Sequence, residues 1–399
     1  MTDPGGSRPP LPRNVTALSV VSFLTDVSSE MIYPLLPVFL TTVLGAGAGA
    51  VGIIEGAAES TAALLKLASG WWSDRVRRKP LVVFGYGLSA LARPLMAMAG
   101  NVGQVLAVRM TDRVGKGIRS SPRDALIADV VAPSERGRAF GVHRAADNAG
   151  AVLGPLIAWM LLQPLALSVR SVMWWAAVPG AMAVVVLAVW VREGERRPAA
   201  PHVAAVTNAP LGAAFWRYLG VLLLFTLGNS SDAFLLLRAT QLGVPVAVIP
   251  LLWTSMSVVK SASSIPGGML SDRLGRKPLI VGGWIVYSVV YILLALASAA
   301  WQIWALFVVH GLYFGLTEGV EKAMVADLVP AARRGTAFGW YNFTVGLGAL
   351  PASVLFGVVW ERWGAGVAFQ MGAAIAATAA VGMLLAVPEP NDRLSSRSR

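Results

Sequence analysis

The stretch Gly70-Trp71-Trp72-Ser73-Asp74-Arg75-Val76-Arg77-Arg78-Lys79-Pro80 returns 198 residues later as Gly268-Met269-Leu270-Ser271-Asp272-Arg273-Leu274-Gly275-Arg276-Lys277-Pro278. The offset is almost half of the 399 residues. Each copy is a burst of charge between long apolar runs. The copying runs deeper: Ala128-Asp129-Val130-Val131 matches Ala326-Asp327-Leu328-Val329, and Arg136-Gly137-Arg138-Ala139-Phe140-Gly141 matches Arg334-Gly335-Thr336-Ala337-Phe338-Gly339. Residues 70–141 therefore align with 268–339 without a net gap. A shifted echo links Ser28-Ser29-Glu30 to Ser230-Ser231-Asp232. The chain is built twice on one plan.

Composition says what medium the plan suits. Hydrophobic residues make up 56% and charged ones 14%, against about 25% charged in soluble domains. Abundant Gly, Pro and Trp fit membrane helices. The net charge of +12 punctuates apolar runs instead of forming a patch or tail, which argues against a nucleic-acid partner. There is no cysteine, so disulfides and thiolate metal sites are excluded. No metal or cofactor is expected. The first apolar run is too long for a signal peptide and carries Asp26 and Glu30, so it reads as a retained membrane helix.

A helix needs roughly 20 apolar residues to cross a bilayer. Twelve segments qualify: 15–43, 50–72, 81–99, 103–130, 138–162, 168–191, 214–240, 246–270, 279–299, 302–328, 336–361 and 364–387. Alternate connections are basic, and by the positive-inside rule these face the cytoplasm with both termini. The expected layout is a cytoplasmic tail 1–14, a six-helix half 15–191, a cytoplasmic linker 192–213, a second half 214–387 and a tail 388–399. The expected fold is all-α and membrane-integral, with twelve transmembrane helices in two pseudo-symmetric halves. A bacterial inner (plasma) membrane location and a monomer are expected.

This pattern resembles the major facilitator superfamily over essentially the whole chain. Its loop signature G-x-x-x-D-R-x-G-R-[RK] is complete at Gly268, Asp272, Arg273, Gly275, Arg276 and Lys277; at Gly70, Asp74, Arg75, Arg78 and Lys79 it departs once, with Arg77 in place of Gly. A fourth-helix Arg–Gly pair is present as Arg113 and Gly117. The antiporter signature G-x8-G-x3-G-P occurs at Gly141, Gly150, Gly154 and Pro155, without its trailing glycines. The resemblance implies a secondary transporter whose halves rock about a central cavity, with the doubled loops as cytoplasmic gates. It also implies export in exchange for protons. The loop cations suit helix C-termini, so a topology anchor alone is the other reading of that cluster. Gly150 and Gly154 form a small-residue face that admits a close helix, and packing alone also explains them.

Ionisable groups at membrane depth cost about 2.5–3.5 kcal/mol each, yet this chain keeps many. Arg109, Arg113, Lys116, Arg119 and Arg123 fall on one stripe of the fourth span. Asp26, Glu30 and Tyr33 share a face of the first. At 1.5 Å per residue, Asp26 and Arg119 lie at about 16 Å from the cytoplasmic side, and Glu30 and Lys116 at about 21–22 Å. With helices 1, 4, 7 and 10 around the cavity, as the resemblance implies, the expected pairs are Asp26–Arg119 and Glu30 with Lys116 or Arg113. Asp26, Glu30, Arg113 and Arg119 are the proton-coupling candidates. The substrate-cavity candidates are Tyr33, Lys116, Arg123, Asp232, Tyr313, Glu318, Glu321, Lys322 and Tyr341. The offset sets Arg123 against Glu321, so one wall is expected basic and the other acidic. A locked ion-pair network is the competing explanation, above all for Glu55, Glu59 and Lys66. Trp253 and Trp284 are expected at the lipid interface or in packing, and His143 as a polar contact.

The function expected is proton-coupled export of a small molecule by alternating access. Uptake of an organic anion and a non-transporting receptor are the alternatives. No nucleotide-binding loop is present, and no nucleophile–base motif suggests an enzyme.

Overall fold

The computed structural model describes residues 11–73, 77–131, 136–192, 211–330 and 333–389. Twelve helices follow in chain order: α1 Arg13–Val43, α2 Ala48–Ser73, α3 Arg78–Met98, α4 Val102–Asp129, α5 Arg136–Leu162, α6 Val169–Trp190, α7 Ala213–Gln241, α8 Ile249–Leu274, α9 Arg276–Leu296, α10 Ala300–Leu328, α11 Arg334–Trp363 and α12 Ala365–Ala386. Eleven of them are long and apolar enough, at least in part, to cross a membrane. The one outside that group is α4. Its 28 residues are long enough, but Arg109, Asp112, Arg113, Lys116, Arg119, Arg123 and Asp124 make it too polar on average. It is tolerated because α2 and α3 pack along it and turn its charges inward.

The repeat is visible in the helix boundaries. α3 and α9 correspond residue for residue at the offset of 198. The halves meet through α2 with α11 and α5 with α8, two contacts related by the same repeat. On α2 the approach is close: Gly52 faces the Ser353 carbonyl, Gly56 faces Leu350, and Gly49 N–H donates to Glu361 Oε1 at 2.8 Å. The distal ends of α1 and α7 also pack together. These contacts close the bundle at the end carrying the loops after α1, α7 and α11.

Two helices are irregular where they enter that closed end. In α1, Pro34 and Pro37 remove backbone donors, and the helix tightens over Tyr33–Leu35 and widens over Phe39–Val43. In α7 the regular helix stops at Gly228 and resumes at Ala233. The unwound residues Asn229, Ser230, Ser231 and Asp232 line the central cavity. Backbone freed from helical hydrogen bonds at membrane depth is found where it lines a cavity or is buried in protein.

The duplicated loops do their described work within each half. Lys79 Nζ donates to the Ala188 carbonyl at 3.2 Å, and Lys277 Nζ to those of Leu384 and Val387 at 2.8 and 2.7 Å. Each lysine thus caps the last turn of its half's sixth helix, where free carbonyls carry partial negative charge. Arg276 Nε donates to Asp327 Oδ2 at 3.1 Å, tying α9 to α10. Gly275 sits at φ +97°, a left-handed conformation that favours glycine, whereas Arg77 turns with φ −61° and needs none. Asp74 and Arg75 lie outside the described residues, as does the side chain of Asp272. The gating role expected of these residues therefore falls outside the described contacts.

Candidate functional site

Between the halves lies a cavity of about 570 Å³, within the range of small-molecule sites. Exposure along α2 gives its direction. The Glu55 side chain is 2% exposed and that of Glu59, one turn on, is 50%; Lys66 beyond them is also exposed. The cavity is sealed at the closed end and opens toward the doubled charged loops.

The wall carries seven basic and seven acidic side chains. This corrects the expectation of one basic and one acidic wall. The first half supplies six cations and five acids, the second half one cation and two acids. The α4 stripe does not form a continuous cationic face, because neighbouring helices divide it. Arg109 makes two hydrogen bonds to the Glu55 carboxylate at 3.1 and 3.0 Å, and lies over the Tyr33 ring. Arg113 pairs with Glu59 at 3.3 Å. Arg119 turns to α3, donating to Ser89 Oγ and lying 4.4 Å from the Tyr86 ring centroid. Arg123 leaves the cavity altogether, bound to Asp124 at 2.8 Å and to Ser22 Oγ at 3.3 Å.

The expected carboxylate pairings are corrected in the same way. Glu30 accepts a hydrogen bond from Trp253 Nε1 at 2.8 Å, across the two halves, in place of Lys116 or Arg113. Trp253 is thus a cavity residue rather than a lipid-interface one, and its ring packs 5.0 Å from that of Tyr33. Asp26 does not pair with Arg119. Among the described residues the Asp26 carboxylate and the Lys116 ammonium make no hydrogen bond or ion pair, although both line the cavity. Every other α4 cation on that wall is engaged.

In the second half, Asp232, Glu318, Lys322 and Tyr341 line the cavity as expected. Glu318 is held by Lys260 at 3.0 Å and Lys322 at 3.2 Å. Glu321 and Tyr313 do not line it. Glu321 is clamped by Trp284 Nε1 and Tyr341 Oη, each donating at 3.0 Å. Tyr313 packs among Phe225, Tyr287 and His310. The Arg123–Glu321 charge inversion therefore lies behind the cavity, because these positions face the packed flanks of α4 and α10.

The antiporter-signature glycines meet the carboxylate helix. A Cβ on Gly150 would stand 2.7 Å from the Phe23 carbonyl oxygen and 2.8 Å from Asp26 Cβ. One on Gly154 would stand 2.6 Å from the Val27 oxygen and 2.9 Å from Glu30 Cβ. These glycines let α5 press on α1 at the two turns that carry Asp26 and Glu30.

Sequence reasoning missed Arg93, Asp112 and Lys260. Arg93 Nη1 binds Asp112 Oδ1 at 3.0 Å, and its Nε binds Ser28 Oγ at 3.1 Å; both members of the pair line the cavity. A lone arginine inside the apolar third span was itself a signal, since intramembrane charge marks function or a buried partner.

The model of the Major Facilitator Superfamily matches residues 18–238 and 221–399, one match for each half. An uncharacterized MFS-type transporter of Methanocaldococcus jannaschii is 34% identical over 361 residues, covering 88% of this chain and 89% of that protein. The fosmidomycin resistance protein of Escherichia coli is 23% identical over 349 residues, covering 85% and 84%. Among solved structures, a D-xylose–proton symporter shares the fold with a TM-score of 0.77 at 17% identity, covering 95% of this chain and 98% of its own.

Proposed function

Because this chain belongs to the major facilitator superfamily and is a multi-pass membrane transporter, we propose that it exports a small polar molecule in exchange for protons. The observation that carries this reading is the uncommitted pair Asp26 and Lys116. Opposite charges without an ion-pair partner among the described residues, in a cavity between two rocking halves, are the groups available to exchange a proton for a substrate. With Asp26 ionised, Lys116 and Arg119 of α4 are cations whose charge acts on it. Protonation of Asp26 removes the negative charge, and a substrate anion or hydroxyl then takes its place beside Lys116.

Cargo class follows from the wall. Its formal charges balance, so it gathers neither anions nor cations over distance. That supports a neutral or zwitterionic substrate over the organic anion of the alternative reading. The unwound Asn229–Asp232 segment offers amide, hydroxyl and carboxylate groups, and Tyr33, Trp253 and Tyr341 offer aromatic faces. Export as the direction is supported by the glycines that seat α5 on the carboxylate helix and by likeness to a protein named for fosmidomycin resistance. Taking the doubled loops as cytoplasmic on the positive-inside rule supports reading the open end of the cavity as the inward one, where a substrate for export would load.

The test is growth of a drug-sensitive host expressing the chain, challenged with fosmidomycin and a panel of polar antibiotics, followed by transport of any protected compound in proteoliposomes under an imposed pH gradient. Asp26→Asn and Lys116→Gln should each abolish gradient-driven transport while the protein still folds. Intact gradient-driven transport in Asp26→Asn would refute the assigned proton site.

A further inference from the structure

The internal repeat superposes two clusters of different chemistry. At the offset of 198, Arg93 and Asp112 fall on Tyr291 and His310, and the shifted echo sets Ser28 on Ser230. In the first half these places hold the closed Ser28–Arg93–Asp112 network. In the second half Ser230 Oγ lies 3.3 Å from the Tyr291 hydroxyl, and the Tyr291 ring lies beside His310. The same layout holds a fixed ion pair in one half and a tyrosine and a histidine in the other. An Arg–Asp pair holds both charges, because each stabilises the other. Imidazole is the side chain that changes charge between pH 5 and 8.

The surroundings of His310 suit a cation. Rings of Tyr287, Tyr291, Tyr313 and Phe314 have centroids 5.7, 6.1, 5.5 and 5.3 Å from that of the imidazole, and aromatic faces attract a cation within about 6 Å. His310 Nε2 lies 3.4 Å from Asp232 Oδ1. Its Nδ1 is buried without a hydrogen-bond partner among the described residues. The His310 side chain is 1% exposed, but that of Asp232 is 18% exposed and lines the cavity. The carboxylate is thus the link between cavity water and the imidazole. Other charges on the packed helices are engaged: Lys260 of α8 with Glu318 and the Phe314 face, Arg238 of α7 with the Leu294 and Ala297 carbonyls, and Glu321 of α10 with Trp284 and Tyr341.

We propose that Asp232 and His310 form a second proton-binding site, in the half of the molecule opposite Asp26. The Asp232 carboxylate takes a proton from cavity water and passes it to the Nε2 lone pair of His310: the carboxyl O–H bond breaks as the N–H bond forms, which leaves Asp232 ionised. The imidazolium is then held beside the carboxylate and among the tyrosine rings, and the proton leaves by the same carboxylate. Only the use of this site in transport rests on the reading of the chain as proton-coupled; the protonation itself does not.

The chain has three histidines, so nitrogen-15 imidazole spectra of the full protein in lipid nanodiscs resolve His310 directly. His143→Gln and His202→Gln assign the other two signals. On acidification the His310 signal should convert from the neutral to the imidazolium form. Asp232→Asn should move the midpoint about one pH unit lower, and Asp232→Glu should restore it. A His310 signal that stays neutral to about pH 5, or a midpoint indifferent to Asp232→Asn, overturns the proposal. So does loss of the conversion in Asp26→Asn, which would merge the two sites into one. A His310 that titrates in a protein whose gradient-driven transport survives Asp26→Asn would refute the Asp26 assignment and leave this site standing.

Discussion

Adding one methyl group to Gly154 tests how α5 holds α1. The new Cβ would lie 2.6 Å from the Val27 oxygen, 2.9 Å from Glu30 Cβ and 3.2 Å from the Glu30 carbonyl carbon. Two of these three are backbone atoms of a continuous helix, so no side-chain rotation relieves the overlap. An ordinary contact begins near 3.4 Å, so α1 must move away by about 0.8 Å, and for Gly150, starting from 2.7 Å, by about 0.7 Å. Overpacking of this kind costs about 1–3 kcal/mol, a factor of about 5 to 150 in the unfolding equilibrium. One translation of α1 relieves both overlaps, so Gly150→Ala/Gly154→Ala should cost clearly less than the sum of the single variants, as coupled neighbours do. The assay is denaturant unfolding of the detergent-solubilised protein, with Gly220→Ala as the control, because a Cβ there meets nothing within 4 Å. Because the chain has no cysteine, a thiol placed at Ser29 also reports, without background, whether the cavity face of α1 moves. If Gly154→Ala unfolds like Gly220→Ala and leaves the labelling rate unchanged, the close approach of α1 and α5 is not what these glycines provide.

Other outcomes follow from single contacts. Arg109→Ala should cost about 3–5 kcal/mol in unfolding free energy by leaving the Glu55 carboxylate, 2% exposed, without its cation; a paired Glu55→Gln change should recover part of it. Trp253→Phe keeps the ring against Tyr33 but removes the hydrogen bond to Glu30 across the halves, so transport should fall more than stability, read by proteoliposome uptake beside a melt. Gly275→Ala should destabilise by about 1 kcal/mol or more in the same unfolding measurement, because its φ is +97°.

Much of this molecule was legible in its sequence, and the rest was not, for a physical reason. Span length, the alternation of basic and neutral connections and the offset of 198 are written along the chain, because a helix must match the bilayer thickness whatever its neighbours are. The twelve helices followed from that alone, including α4, whose charges hide it from an apolarity criterion. The stripe of cations on α4 was also readable, since helical periodicity fixes which side chains share a face. Their partners were not. Arg109, Arg113, Arg119 and Arg123 leave nearly the same line, yet reach α2, α2, α3 and α1, because a long side chain goes to whichever neighbouring helix offers an acceptor. Depth arithmetic put Asp26 level with Arg119, but equal depth is not contact, and the tyrosine and serine of α3 had already engaged that guanidinium. The repeat showed which residues correspond, not what they do. Only packing turned Arg93 and Asp112 into a closed ion pair and set His310 among tyrosines beside Asp232, since a buried group's chemistry is decided by the atoms within a few ångströms of it.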